Sequence, residues 1–457
     1  MASDAHADSQ HGGPPAMTAP RIRSIEETRC CVVGGGPAGA VLSLLLARQG
    51  IPVMLLEAHE DFDRDFRGDT IHPAILDILD EIGLAVPLLE LPYTKLRAVS
   101  APGLSGSTPL ITFSHLRTRF PFIALMPQVR FLEYIIGEAQ RYPSFHLVMG
   151  AGVQELIVDS GVVRGVRYRS KDAWHEVRAL LTVAADGRYS RMRKLSGLPQ
   201  PIKASPPLDL VWFRLRRNPD DGEGLMGRAG PGHFMVLLDR GDQWQVGYSI
   251  AKGSYPEVHA AGLGALRASI AAIAPDLADR VGALQDWKQL ALLSVEADRL
   301  PRWYRPGLLF IGDAAHVMSP VGGNGINYAI QDAAAAANIL SGPLRAGALT
   351  LGNLAAVQRR REWPVRMTQA VVTMMQNLQG FALSHAPTSP AVRSVPTPVR
   401  LLLRLPILSD VPARWVAFGL WPVHLRPEIR VARTPLLDAP NTGPRASSQA
   451  GHTAAQA

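Results

Sequence analysis

Three glycines at a fixed spacing constrain this chain more than any other feature. Gly34-x-Gly36-x-x-Gly39 follows an apolar run, Cys30 to Val33, and opens a second, Ala40 to Ala47, after which Pro52 to Glu57 reads as another strand. Strand, glycine turn, helix and strand make a βαβ unit, the context in which this glycine pattern marks a dinucleotide site. The glycines permit a tight turn and let the backbone approach a pyrophosphate, while Pro37 and Ala38 start the helix whose positive end faces that charge. Glu57, 18 positions beyond Gly39, stands where a ribose hydroxyl would donate. An acid there favours an adenosine ribose without a 2′-phosphate, which leaves FAD and NAD as candidates.

The rest of the composition narrows the class. With 457 residues, 47% apolar and 19% charged, the chain has enough material for two domains or one large composite fold, and fibrous or fully disordered readings fall away. The uncharged run from Cys30 to Ala47 is long enough for a membrane span, yet its glycines and proline resolve it into strand, turn and helix. Net charge is +8, carried by 41 Arg and 6 Lys that are scattered rather than stacked into a stripe, so nucleic acid is not an expected partner. Cys30 and Cys31 are neighbours on a strand, point to opposite faces and are poorly placed to bridge each other. With no zinc spacing and no signal-peptide pattern in the first residues, the expected compartment is the reducing cytoplasm. Residues 1–26 and 436–457 read as disordered tails.

Two further signals choose between the candidates. At a strand end lies Val183-Ala-Ala-Asp186-Gly187-Arg-Tyr-Ser190-Arg-Met-Arg193, and after the apolar strand Gly307–Ile311 comes Gly312-Asp313-Ala-Ala-His316, continuing through Pro320 to Gly322, Gly323, Asn324 and Gly325. A carboxylate at a strand end can bind a second ribose, and glycines at a helix start leave backbone amides free for an anionic ring. Together the three motifs, in this order and spacing, resemble the class A flavoprotein monooxygenases, the FAD-dependent aromatic hydroxylases of the para-hydroxybenzoate hydroxylase type, over roughly residues 28 to 380.

The resemblance implies an α/β fold: a Rossmann-type FAD-binding domain interleaved with an antiparallel-sheet substrate domain, plus C-terminal helices. Residues 27–200 would form the first part of the FAD domain, with a substrate-side insertion at about 85–127. The substrate sheet would follow at 201–300, the second FAD segment at 301–345 and a helical region at 346–435. It further implies that Gly34, Gly36, Pro37, Ala38, Gly39 and Glu57 hold the adenosine half of FAD. Asp186 and Gly187, with Arg193, would meet FAD and nicotinamide. Asp313 would meet the ribityl chain, and Pro320 with Gly322, Gly323, Asn324, Gly325, Ile326 and Asn327 would surround the flavin ring. Arg67 and Gln128 would lie near FAD. Asn324 departs from the Gly-Gln-Gly or Gly-Val-Gly loop of many relatives. The implied reaction inserts one oxygen atom into an aromatic, quinone or quinolone-type compound via a flavin hydroperoxide, with NADPH or NADH as reductant and O2 as oxygen source. A single Rossmann fingerprint fits a reductant that visits the surface without its own domain.

Substrate-side signals are thinner. Residues 208–217, 233–239 and 244–250 read as antiparallel strands, which makes Trp212, Met235, Gln245 and Tyr248 candidate pocket residues, against ordinary sheet packing. Pro320, Gly325, Tyr248 and His72 are the catalytic candidates; His72 reads either as a base near the flavin or as a loop residue capping the next helix. No metal-ligand spacing is present. The apolar, basic stretch 399–430 reads either as a helix pair covering the FAD domain or as a weak membrane-surface contact, with Pro406 and Pro412 expected to interrupt a long membrane-lying helix. Other FAD chemistries on the same fold remain open (reductase, cyclising or halogenating enzyme), as does a flavin-binding protein without oxygenase activity. The halogenase stretch W-x-W-x-I-P is absent. The resemblance allows a hydroxylated ring, an epoxide or a cleaved ring as product, with either NADH or NADPH as donor.

Overall fold

The computed structural model describes residues 22–63, 69–100, 111–171, 173–204, 206–221, 224–230, 232–385, 406–433 and 435. At its centre is an eight-stranded sheet whose parallel part runs Leu308–Phe310, Ala173–Ala184, Ile22–Val33, Val53–Leu56 and Phe145–Val148. Residues 22–26, read from the sequence as the end of a disordered tail, belong to this sheet instead, because the long strand Ala173–Ala184 offers them a partner, with Ile25 beside Glu176 and Glu26 beside Val177. The inner strands are buried on both faces, which is why Cys30–Val33 and Val53–Leu56 are continuously apolar rather than alternating. Their register matters most. Val33 pairs with both Leu56 and Ala184, and Ala184 with Phe310, so four strands end level with one another. Gly34, Glu57, Asp186 and Asp313 therefore emerge side by side at the carboxyl edge, where open α/β sheets bind ligands.

Helix Pro37–Arg48 and helix Asn324–Ala346 share one core with these strands. The alanines Ala333–Ala337 are all buried there, and their small side chains let the two helices approach closely.

A second, seven-stranded sheet has the order Ala291–Leu293, Leu208–Arg216, Gln243–Ala251, His233–Asp239, Leu225–Gly230, Ala98–Ser100, Ile111–Thr112. The strand at 225–230 escapes a sequence reading because its glycines blur the alternation. One face carries Val211, Phe213, Leu237, Val246 and Ile250, packed on Leu266 and Ile270 of helix Tyr255–Ile273. The other face carries Leu210, Trp212 and Leu238 with Val295.

The C-terminal stretch packs on the body of the protein. Helix Pro406–Phe418 starts at one of the two prolines, includes the other, Pro412, and runs for 13 residues. Ala413, Val416 and Ala417 lie against Leu96, Phe113, Leu116 and Leu125. Among the described residues no helix is long and apolar enough to cross a membrane.

Candidate cofactor and substrate site

The glycine turn is built from close backbone contacts. Gly34 adopts φ +105°, and a Cβ there would lie 2.4 Å from the Ala185 carbonyl oxygen; a Cβ on Gly39 would lie 2.0 Å from the Gly34 carbonyl oxygen. Gly36 differs, because a Cβ there would meet nothing within 4 Å and its φ of −69° suits any residue. It caps helix Pro37–Arg48 without any side-chain hydrogen bond, so the first amides of that helix face outward. Glu57 Oε2 accepts from Gly35 N at 2.7 Å, and Oε1 accepts from His59 N at 3.0 Å and lies 2.7 Å from His59 Nδ1. Burial pushes the Glu57 carboxyl up, but the contacts with His59 and Gly35 outweigh it and leave the group below its ordinary value.

The second and third motifs are wired to each other. Asp186 accepts from Ser190 Oγ at 2.6 Å and Met192 N at 3.0 Å, which shapes the turn into helix Arg191–Ser196; burial raises its carboxyl against those bonds. Arg193 forms a fork on Asp298 at 2.9 Å to each oxygen and donates to the carbonyls of Asp313 at 2.9 Å and Ala314 at 2.6 Å. It acts as a strut beneath the Gly312–Asp313 turn. The Asp313 carboxylate points the other way and comes within 3.9 Å of Arg188 Nε.

In the glycine loop, Gly322 and Gly323 take φ +79° and +64°, and Gly323 opens helix Asn324–Ala346 with no side-chain cap. Pro320 starts the loop, its carbonyl accepting from Gly323 N at 3.0 Å, and Gly325 and Ile326 follow in the helix's first turn. Asn327 Oδ1 accepts from Gln331 Nε2 at 3.0 Å, whereas buried Asn324 Nδ2 has no hydrogen-bond partner among the described residues. Gln128 begins helix Gln128–Gln140, its backbone N–H donating to Asp69 Oδ1 at 3.2 Å. Arg67 lies outside the described residues.

His72 occupies the N-cap position of helix Pro73–Asp80 but makes no capping bond, in contrast to that expectation. Its Nδ1 instead lies 2.8 Å from the Val416 carbonyl, joining the glycine-loop region to the C-terminal helix. Burial holds this imidazole down at about 4 despite the carbonyl contact, so it is neutral at pH 7. A histidine whose pKa falls from about 6.5 unfolded to about 4 folded binds its proton only in the unfolded chain between those values. Stability is therefore expected to fall by about 3 kcal/mol as pH drops from about 6.5 to about 4. Denaturant unfolding of a His72→Gln variant across that window should show a correspondingly flatter pH profile.

The substrate-sheet candidates divide between faces. Tyr248 and Met235 belong to the core against helix Tyr255–Ile273, with Tyr248 Oη 2.8 Å from Ser269 Oγ. That placement corrects the reading of both as pocket residues: alternation gives the period of a strand, and the helix decides which face is covered. Trp212 and Gln245 lie on the opposite face, where Arg240 Nε donates to Gln245 Oε1 at 3.1 Å and its Nη2 pairs with Asp69. Arg240 thus ties this sheet to Asp69, whose other carboxylate oxygen accepts from Gln128 N. Neither Asp69 nor Arg240 stands out in the sequence, since they are 171 positions apart. Trp212 Nε1 is buried and has no hydrogen-bond partner among the described residues.

A family model described as an FAD binding domain matches residues 27–371. The chain is 34% identical over 427 residues to the 6-methylpretetramide 4-monooxygenase of Streptomyces rimosus, covering 92% of this chain and 97% of that one. The chain is a class A flavoprotein monooxygenase. The protoasukamycin 4-monooxygenase of Streptomyces nodosus subsp. asukaensis is 25% identical over 79% of this chain and 90% of its own length. The anhydrotetracycline hydroxylase OxyS of Streptomyces rimosus superposes with a TM-score of 0.67 at 24% identity, covering 86% of this chain and 76% of that one, a likeness of fold.

As a flavoprotein monooxygenase, the chain uses FAD with NAD(P)H and O2. The geometry fits that cofactor: among the described residues, nothing fills the space beside Gly36, two helix starts have no side-chain cap, and a buried amide has no partner. Gly34 to Gly39 and Glu57 would hold the adenosine diphosphate, Asp313 the ribityl hydroxyls, and the loop from Pro320 to Asn327 the ring. When bound, the cofactor supplies the redox and oxygen chemistry. The protein's part is to bind, orient and exclude water. Replacing Asp313 with Ala should weaken FAD binding about thirtyfold, in keeping with the loss of charge-assisted hydrogen bonds. The ratio of flavin to protein absorbance after gel filtration reads this, and a fully yellow variant refutes the assignment.

Proposed function

We propose that this enzyme hydroxylates a polycyclic or quinonoid aromatic compound in the cytoplasm, holding it between the glycine loop and the face of the second sheet that carries Trp212. The observation that carries the proposal is the character of that face. Leu210, Trp212 and Leu238, with half-buried Phe234 and Val236, form an apolar surface suited to a flat ring system. Two polar groups interrupt it: the unpartnered Trp212 Nε1, a donor for a ring oxygen, and Gln245, already turned toward Arg240. The resemblance to a monooxygenase named for 6-methylpretetramide supports a fused-ring phenol. Asp69 and Arg240 help define the other wall, because their ion pair fixes the distance between sheet and cofactor segment.

The test is anaerobic reduction of the bound flavin by NADPH and by NADH, followed as bleaching, with a panel of fused-ring phenols, simple phenols, quinones and quinolones. A substrate is expected to accelerate bleaching and to leave with one added oxygen once O2 is admitted. If only single-ring phenols do so, the fused-ring assignment is wrong. If no compound is oxygenated although flavin is reduced, the hydroxylase reading is wrong.

A further inference from the structure

We propose that a basic cavity between the insertion and the second sheet receives the phosphate groups of the pyridine nucleotide; this rests on the NAD(P)H-driven reading above. The cavity has a volume of about 450 Å³ and is lined by Tyr93, Thr94, Lys95, Arg97, Arg217 and Asp239, with Gly241 at its edge. It has an excess of positive charge. Asp239 is largely spent, accepting from Gly241 N at 2.8 Å and Gly224 N at 3.3 Å with Arg217 at 3.7 Å. Arg217 is itself fixed by the carbonyls of Gly241 and Asp221 and by the Trp244 ring, 5.4 Å from its guanidinium carbon. Lys95 and Arg97 are exposed and, among the described residues, have no carboxylate partner within ion-pair distance. Lys95 Nζ rests over the rings of Tyr93 and Phe122, at 5.7 and 5.1 Å, which holds the ammonium at the cavity rather than free in solvent.

Charge alone would suit many anions, and position selects among them. Asp239 and Gly241 flank Arg240, which pairs with Asp69; the next residue, Thr70, donates to the Gly323 carbonyl at 3.1 Å. Chain neighbours and two side-chain contacts, Arg240 to Asp69 and Thr70 to Gly323, thus link the cavity to the loop expected to face the flavin ring. The reductant must present its nicotinamide to that ring while its phosphates bind elsewhere, and the only Rossmann fingerprint is assigned to FAD. Two cations in excess, linked through Arg240, Asp69 and Thr70 to the glycine loop, match a phosphate-bearing nucleotide better than the apolar ring system assigned to the Trp212 face.

Flavin-loaded protein is reduced anaerobically at varied NADPH and, separately, NADH. In a Lys95→Gln/Arg97→Gln variant the half-saturating nucleotide concentration is expected to rise about tenfold. The limiting reduction rate and bound flavin should stay within twofold of the parent. Arg97→Glu alone, at an exposed position, should show the same direction if the double variant folds poorly. A rise for both nucleotides indicates the pyrophosphate, and a rise for NADPH alone the 2′-phosphate; either supports the proposal. Unchanged half-saturation for both nucleotides overturns it, as does a change confined to the affinity for the oxygenated substrate. Calorimetry with 2′,5′-ADP reads the cavity without flavin chemistry. Weaker binding to the double variant, in protein that nevertheless turns over no substrate, would sink the oxygenase reading and keep this one.

Discussion

A Gly36→Val variant is expected to fold normally and to purify almost colourless. Three glycines that a sequence pattern treats alike play different parts in the structure. At Gly34 and Gly39 a Cβ would come within 2.4 and 2.0 Å of carbonyl oxygens, distances that no rotamer adjustment relieves because the opposing atoms are backbone. Gly39→Ala should therefore cost about 3 kcal/mol of stability or more, whatever happens to ligand binding. At Gly36 there is open space within 4 Å and an ordinary φ, so the protein itself has no use for glycine there beyond its role as a cap. Replacing it should cost about 1 kcal/mol in the absence of FAD. The added methyls would instead occupy the approach to the pyrophosphate, at a cost of about 3 kcal/mol, or roughly 100-fold in affinity. Thermal unfolding of cofactor-free protein and fluorescence titration with FAD test the two halves separately. A Gly36→Val protein that retains stoichiometric flavin would refute the placement of the pyrophosphate.

The features legible in the sequence are those written in a few consecutive residues. Apolar runs ending in Gly34, Glu57, Asp186 and Gly312 each carry their own strand, and the parallel register that aligns their ends follows from burying all of them in one sheet. Contacts between distant segments were not legible. Arg193 reads as part of a motif that meets the cofactor, and only the fold brings it to Asp298, 105 positions away, where it supports the Asp313 turn from beneath. His72 suggests a cap because it precedes a helix, but its partner is the Val416 carbonyl, 344 positions on. Tyr248 marks the boundary between the two kinds of information. Its strand is readable from alternation, while the face it joins depends on helix Tyr255–Ile273, which packs on that side and takes its hydroxyl.

The largest stability effect is expected at Asp332, a residue that no motif singles out. It is wholly buried in helix Asn324–Ala346, and its two oxygens serve three partners. Oδ2 accepts from Gly312 N at 3.0 Å and lies 2.7 Å from His316 Nε2, while Oδ1 accepts from Arg361 Nε at 2.8 Å. Arg361 is equally buried and sits 5.3 Å from the Tyr328 ring. Asp332→Asn keeps the volume but leaves a guanidinium in the core without its counter-charge, a loss of about 3–5 kcal/mol. Because Gly312 N loses a charged acceptor, the turn carrying Asp313 should loosen as well, and FAD affinity should fall with stability.

The pH dependence distinguishes this ion pair from a generic packing defect. Burial raises the Asp332 carboxyl, but His316 and Arg361 together outweigh it and hold the group below the ordinary aspartate range. A carboxylate with a depressed folded pKa contributes its full stabilisation above its unfolded value of about 4 and loses it as pH falls below that. This window lies under the His72 window, from about 6.5 to about 4, so the acid limb of the stability curve should have two parts. Asp332→Asn should remove the lower part and His72→Gln the upper. Equilibrium unfolding from pH 8 to pH 3 of the parent and both variants reads the two parts directly. An Asp332→Asn protein with parental stability at pH 7 and an unchanged limb below pH 4 would mean that Arg361 is neutralised by some other group.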